Sequence, residues 1–188
     1  MEFVSLLWLP ILLSAVFVFI VSSLVHMVLG YHAGDYQKLP NEDATMDALR
    51  SLNIPGGHYT MPKASSMKDF KNEAFKAKMM KGPMAMLNIR HGDMGMGGSL
   101  VKWFVYCLVV GFFCAYLGSI TVPADADYLK VFQIIGCAAF MGYGLALFQE
   151  AIWGGRSWRS TWLGAFDALL YACVTAGTFG WLWHSCLM

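Results

Sequence analysis

The chain has 188 residues, the length of a single domain, but its composition differs from that of soluble domains. Apolar residues make up 57% of it and charged residues only 13%, whereas charged residues make up about 25% of typical soluble proteins. Mean hydropathy is +0.52 and the net charge is +1. These values argue against a disordered chain, a disulfide-stapled secreted domain and a nucleic-acid-binding protein. They predict an all-α membrane protein.

The first predicted element is a transmembrane helix near residues 3–29. No Asp, Glu, Lys or Arg occurs between Phe3 and Leu29, and this run of 27 residues exceeds the roughly 20 that cross the hydrocarbon core. The segment lacks the basic leader and the small-residue cleavage site of a signal peptide. We therefore treat residues 1–29 as a permanent membrane anchor.

The second predicted element is a small, polar and mostly helical insert over residues 30–98. Polar residues beside apolar ones at helical spacing predict one helix from Asn41 to Leu52 and another from Ser66 to just before Gly82. Residues 58–61 and 84–89 have the composition of short strands. The insert holds too little apolar material to form a robust core of its own.

Three further transmembrane helices are predicted over residues 99–188, near 99–122, 128–152 and 161–184, and we expect them to pack with the first helix. Aromatic indoles prefer the headgroup level of a bilayer. All seven tryptophans lie at a predicted span end or in the short third loop: Trp8, Trp103, Trp153, Trp158, Trp162, Trp181 and Trp183.

Basic residues predict the orientation of the chain. Nine Lys and Arg residues lie between positions 30 and 98, and the third loop carries Arg156 and Arg159. Cytoplasmic loops of membrane proteins carry an excess of such residues. We therefore expect the insert and the third loop in the cytoplasm, and both termini outside.

Asp167, inside the fourth predicted span, is the first candidate site residue. A carboxylate in hydrocarbon costs at least ~2.5–3.5 kcal/mol, so it normally faces a polar partner or a wet cavity. One interpretation is a polar clamp between helices, with Asp167 neutralised by Lys102 or Arg159. The other is a proton or ion relay, or a small polar pocket. The intramembrane polar cluster that we predict at this level has five members: Asp167, Glu150, Lys102, His26 and Gln149.

The fourth span also carries a small residue at every fourth position. Small residues in register let helix backbones approach closely, which favours packing in lipid. We expect this small-residue stripe to pack against another helix. Its members are Gly164, Ala168, Ala172, Ala176 and Gly180.

Metal and haem sites are not expected. His26 and His184 fall near opposite faces of the membrane and cannot share one haem iron, and the other three histidines, His32, His58 and His91, lie in the predicted insert without metal-ligand spacing. A methionine-rich copper site is a weak alternative. Its candidate ligands are Met84, Met86, His91, Met94 and Met96.

The two ends of the sequence carry a family resemblance. The opening residues Leu6–Pro10, Ser22–Met27 and Tyr31–His32, with the closing Phe166–Asp167 and Ala176–Trp183, resemble an uncharacterised family of bacterial four-span integral membrane proteins. That family has no assigned activity. The resemblance implies a four-span fold and a location in the bacterial inner membrane, and it implies no catalytic residue.

These observations predict a non-enzymatic integral membrane protein, an accessory or structural subunit that packs in the bilayer with itself or with a larger membrane complex. No catalytic motif argues for an enzyme, and no nucleic acid is expected as a partner. Two alternatives remain at this point. One is a small transporter or channel-like protein that uses Asp167 and Glu150, and the other is the methionine-rich copper binder.

Overall fold

The computed structural model describes residues 2–92 and 95–187, which form two compact units. One unit comprises residues 2–36 and 95–187, and the other comprises residues 37–92. The elements in chain order are α1 (Glu2–Met27), α2 (Glu42–Ser51), β1 (Gly57–Met61), a 3-10 turn (Asp69–Lys71), α3 (Glu73–Lys81), β2 (Ala85–Ile89), α4 (Met96–Thr121), α5 (Tyr128–Gly154) and α6 (Trp158–Leu187).

Four of these helices, α1, α4, α5 and α6, are long and apolar enough to cross a membrane. The prediction of four such helices is confirmed, and each predicted end lies within three residues of the observed one. The agreement has a simple cause. A helix that satisfies all its backbone hydrogen bonds internally, and carries no charge along its middle, is the structure that hydrocarbon tolerates.

The four long helices form a bundle in which α6 is the most buried member. α1 packs against α4 and α6, while α5 packs against α4 and α6. In the most apolar stretch of α6, 56% of the residues are buried inside the chain, against 22–28% in the other three helices. α1, α4 and α5 therefore keep most of their apolar surface on the outside of the bundle.

Local sequence explains where the long helices bend and end. Pro10 lacks an N–H and its ring crowds the preceding turn, and α1 accordingly departs from helical geometry at Leu7. The carboxylate of Asp127 accepts a hydrogen bond from the backbone N–H of Lys130 and caps the start of α5. Gly155 ends α5 with a φ of +68°, a conformation that glycine adopts without strain.

The small-residue stripe of α6 lies against α5. A Cβ added to Gly144 of α5 would lie 3.1 Å from the Cβ of Ala168, and one added to Gly136 would lie 3.4 Å from the Cβ of Ala176. The glycines at the two ends of the stripe, Gly164 and Gly180, similarly face Leu147 and Tyr128 of α5. The stripe thus brings two helices of the same chain close together.

The second unit contains α2, α3 and an antiparallel hairpin in which β1 pairs with β2, Gly57 opposite Ile89 and Met61 opposite Ala85. The single helix predicted from Ser66 is a 3-10 turn followed by α3. Asn72 interrupts it, because its side chain accepts a hydrogen bond from the N–H of Ala74 and begins a new helix. No residue of α2 or α3 is buried.

Candidate functional site

Asp167 lies inside the bundle, in the third turn of α6. The hydroxyl of Ser157 accepts a hydrogen bond from the N–H of Ser160 and starts the helix. Nine residues after Trp158, and therefore about 14 Å along the helix axis, the side chain of Asp167 is only 5% exposed. A carboxylate at such a depth requires polar partners.

The partners of Asp167 come from the end of α1 and from the segment that follows it. The hydroxyl of Tyr31 donates a hydrogen bond to Oδ1 of Asp167. The Nε2 atom of His32 lies 2.7 Å from Oδ2. The Nε2 atom of His26, in the last turn of α1, lies 4.0 Å from the same oxygen. Both oxygens of the buried carboxylate are therefore matched by polar groups.

A second layer of contacts holds these partners in place. The Nδ1 atom of His32 lies 2.7 Å from Oδ2 of Asp35. The guanidinium of Arg159 lies 3.4 Å from Oδ1 of Asp35 and donates to the backbone carbonyl of Tyr31 at 3.4 Å. We refer to His26, Tyr31, His32, Asp35, Arg159 and Asp167 as the polar cluster. It ties residues 30–36 to the first three turns of α6.

Residues 30–36, which we call the connecting segment, have surroundings that stabilise their charged groups. Burial disfavours the imidazolium of His32, but the hydrogen bonds to Asp35 and Asp167 outweigh burial and raise the pKa of His32. Burial alone would raise the pKa of Asp35, yet hydrogen bonds from His32 and Ser160 and the nearby positive charges lower it. Burial, followed by the bond to Asp167, raises the pKa of Tyr31 and keeps its hydroxyl protonated. These contacts favour the charged form of His32 and of Asp35.

The structure brings together only two of the five residues of the intramembrane polar cluster predicted from the sequence. Asp167 and His26 lie close to each other, as stated above. Glu150 is exposed and pairs with Arg156 at 3.3 Å, and Gln149 and Lys102 are exposed as well. Arg159, considered as a neutralising partner of Asp167, pairs with Asp35.

The sequence analysis did not identify three members of the polar cluster as partners of Asp167. Tyr31, His32 and Asp35 were assigned to the insert, because the boundary was placed at Gly30 where the apolar run stops. The structure groups residues 30–36 with the long helices. One signal in the sequence could have identified them. Tyr31, His32 and Asp35 directly follow the end of the first predicted span, where side chains can reach the ends of other helices.

Two buried hydroxyls follow Asp167 along the same face of α6. Tyr171 and Thr175 lie four and eight residues further on, and within residues 2–92 and 95–187 neither side-chain oxygen has a hydrogen-bond partner. Buried hydroxyls are normally paired with protein or with water. Beyond them the core closes with Phe179 and Trp183, whose side chains are fully buried.

The described residues of the predicted methionine-rich copper site do not form a ligand cluster in the structure. Met84 and Met86 are exposed, and the ring nitrogen Nε2 of His91 lies 2.9 Å from the backbone carbonyl of Ile54. Met96 starts α4 and belongs to the other unit. Met94 lies outside the described residues.

The fold defines a helical protein with four helices long and apolar enough to cross a membrane, which is compatible with a multi-pass membrane protein. No known protein family, no curated protein and no solved structure matches the chain. The resemblance to a bacterial four-span family therefore stays a prediction.

Proposed function

We propose that this chain is a non-enzymatic integral membrane protein, an accessory or structural subunit that packs with itself or with a larger membrane complex. The observation that carries the proposal is the pairing inside the polar cluster. His32 bonds to Asp35 and Asp167, and Arg159 bonds to Asp35. Charged groups that satisfy one another in this way hold the segment after α1 against α6, which is a structural task.

The interior of the bundle supports the same proposal. Leu7, Ile135, Phe179 and Trp183 come from three helices, belong to one apolar cluster and are fully buried. Among the residues that the structure describes, these apolar side chains fill the interior of the bundle at that level. A bundle filled in this way suits a packing subunit better than a conduit.

The outer face of α5 is the surface that we assign to a partner. Gln133, Cys137 and Met141 follow one another at four-residue spacing and are all exposed. Gln133 lies five residues into α5, near the edge of the hydrocarbon, where an amide gains from a hydrogen bond across helices. The small side chain of Cys137 beside it lets another helix approach closely.

We further propose that the protein lies in a bacterial inner membrane with both termini outside and residues 30–98 in the cytoplasm. Arg159, near the start of α6, contacts residues 31 and 35, which follow the C-terminal end of α1. These contacts support a position of both helix ends on the same side of the bilayer. The excess of basic residues favours the cytoplasmic side. In a background without the native cysteines, Ser65→Cys should resist an impermeant thiol reagent in intact cells. Rapid labelling would contradict the orientation.

Assembly is tested by native mass spectrometry of the protein extracted from its membrane into nanodiscs. We expect a defined assembly heavier than a single 20.9 kDa chain. Gln133→Leu should shift it toward the single chain, because the partner loses its hydrogen bond to the amide. Met141→Leu, on the same face and of similar volume, is the matched control and should leave the assembly intact. A single chain in the wild-type sample would contradict the proposal.

A second candidate function is proton conduction, and it is favoured by one observation. The unpaired hydroxyls of Tyr171 and Thr175 continue from Asp167 along α6 and could hold water. This function requires the wild-type protein in liposomes to pass protons, and Asp167→Asn to stop the flux at equal folded protein, since an amide does not exchange a proton near neutral pH. Equal fluxes with and without wild-type protein would exclude it.

A further inference from the structure

We propose that His26, His32 and Asp167 form a binding site for one divalent first-row transition-metal ion, with Zn²⁺ as the expected occupant. One ligand atom from each side chain can be chosen so that all three lie within 4.8 Å of one another. The three residues come from α1, the connecting segment and α6. The site goes beyond the proposed function, and either can hold without the other.

The distances from Asp167 to the two histidines are close to those between the ligands of a bound ion. Ligand atoms at 2.0–2.1 Å around a tetrahedral zinc ion lie about 3.3 Å apart. Nε2 of His32 and Oδ2 of Asp167 are 2.7 Å apart, a hydrogen-bond distance that must open slightly. Nε2 of His26 and the same oxygen are 4.0 Å apart and must close by a similar amount. Both adjustments are small enough for side-chain rotations.

The donor types select the metal. Two imidazole nitrogens and one carboxylate oxygen form the ligand set of zinc sites that keep one position open, and also of sites for other first-row metals such as iron. Ca²⁺ and Mg²⁺ prefer oxygen ligands alone. Three protein ligands leave the fourth position of a tetrahedral ion for water. The side chain of His26 is 53% exposed, so the ion can enter from that side.

The outer contacts are those that a metal site requires. A metal-binding histidine usually donates its other N–H to a carboxylate, which fixes the tautomer and directs the free nitrogen at the ion. Asp35 occupies that position on Nδ1 of His32 and leaves Nε2 for the metal. Tyr31 donates to Oδ1 of Asp167 and leaves Oδ2 on the side of the two histidines. Both ligand orientations are therefore set by a neighbouring group.

Binding exchanges a proton for the ion. Without metal, a proton occupies the hydrogen bond between Nε2 of His32 and Oδ2 of Asp167. When the ion enters, the nitrogen lone pair and the carboxylate both bind it, and that proton leaves to solvent. The bound ion links α1 to α6 at the point where the polar cluster already joins residues 30–36 to α6.

The test is zinc binding by the full chain, purified in detergent with an affinity tag that contains no histidine and dialysed against a chelator. Titration with Zn²⁺ alone should show one tightly bound ion per chain. His26→Gln should weaken binding at least 10-fold while the hydrogen bonds of His32 remain. His184→Gln, which removes a histidine near the far end of α6, is the matched control and should bind zinc as the wild type does. Asp35→Asn should weaken binding about 10–100-fold, the usual effect of losing an outer-shell partner.

Cobalt gives an independent readout of the ligands. Co²⁺ in place of zinc should give intense visible absorption in the wild type and in His184→Gln, because a four-coordinate cobalt ion absorbs strongly. His26→Gln should lose that absorption. Equal zinc affinity in the wild type and His26→Gln would overturn the proposal, and so would a wild-type chain that binds no zinc.

Discussion

Adding one methyl group at Gly118 tests the packing of the bundle where its neighbours have least freedom to move. A Cβ at this position would lie 2.9 Å from Cη2 of Trp183 and 3.0 Å from Cδ1 of Ile135. Both side chains are fully buried. The indole N–H of Trp183 also donates to the backbone carbonyl of Pro123 at 2.9 Å, which fixes the ring. Gly118→Ala must therefore distort the core.

The expected magnitude follows from two opposing contributions. Overpacking a filled interior costs about 1–3 kcal/mol. Replacing glycine with alanine inside a helix gains up to about 1 kcal/mol. Subtracting a gain of about 1 kcal/mol from that cost, we expect the free energy of unfolding of Gly118→Ala to fall by about 0–2 kcal/mol relative to the wild type. Gly177→Ala is the matched control, because its new Cβ would meet only Oη of Tyr128, at 3.6 Å, and should show the helix gain alone.

Thermal unfolding in detergent measures the difference. The thiols of Cys107 and Cys114 are buried and become reactive only when the bundle opens. A thiol-reactive fluorophore therefore reports unfolding once the exposed Cys137 and Cys173 and the half-buried Cys186 have been blocked. Each kcal/mol changes Tm by roughly 2–4 °C in a chain of this size. A Gly118→Ala variant that melts with or above Gly177→Ala would refute the packing that we describe.

Two further substitutions probe hydrogen bonds between helices. Asp167→Leu should destabilise the protein by about 1–3 kcal/mol more than Asp167→Asn, because leucine leaves Tyr31 and His32 without an acceptor whereas asparagine keeps one oxygen. Equal melting temperatures for the two variants would argue against the clamp. Trp103→Phe removes the indole N–H that donates to the hydroxyl of Ser22 at 2.8 Å, and should cost about 0.5–1.5 kcal/mol. Its effect should largely disappear in a Ser22→Ala background, and an undiminished effect there would assign the loss to packing.

The sequence predicts the long helices well because an apolar run long enough to cross a bilayer has few stable structures other than a helix. The ends of these helices coincide with physical changes in the chain: Asp127 caps α5, and Gly155 ends it. Long apolar runs, three without a charged residue in their middle and a fourth that contains only Asp167, were therefore predicted correctly as helices. In the second unit, periodicity indicated a continuous helix from Ser66, and the local bond from Ala74 to Asn72 divided it instead.

The partners of Asp167 could not be derived in the same way. The predicted spans placed Lys102 and Glu150 near the level of Asp167, but a common level does not determine which side chains face inward. Both are exposed in the structure. The residues that reach Asp167 belong to a short irregular segment, whose path depends on turns rather than on a repeating pattern. Tyr31 and His32 therefore became visible as partners only in three dimensions.

The claim that the polar cluster is a structural clamp is tested most directly by a double-mutant cycle between His32 and Asp167. The free energy of unfolding would be measured for the wild type, His32→Gln, Asp167→Asn and the double variant under metal-free conditions. Groups that interact directly show coupling energies of about 0.5–3 kcal/mol. Because Nε2 of His32 lies 2.7 Å from a carboxylate that is 5% exposed, we predict a favourable coupling of at least about 1 kcal/mol. Effects that add to within about 0.5 kcal/mol would contradict the clamp.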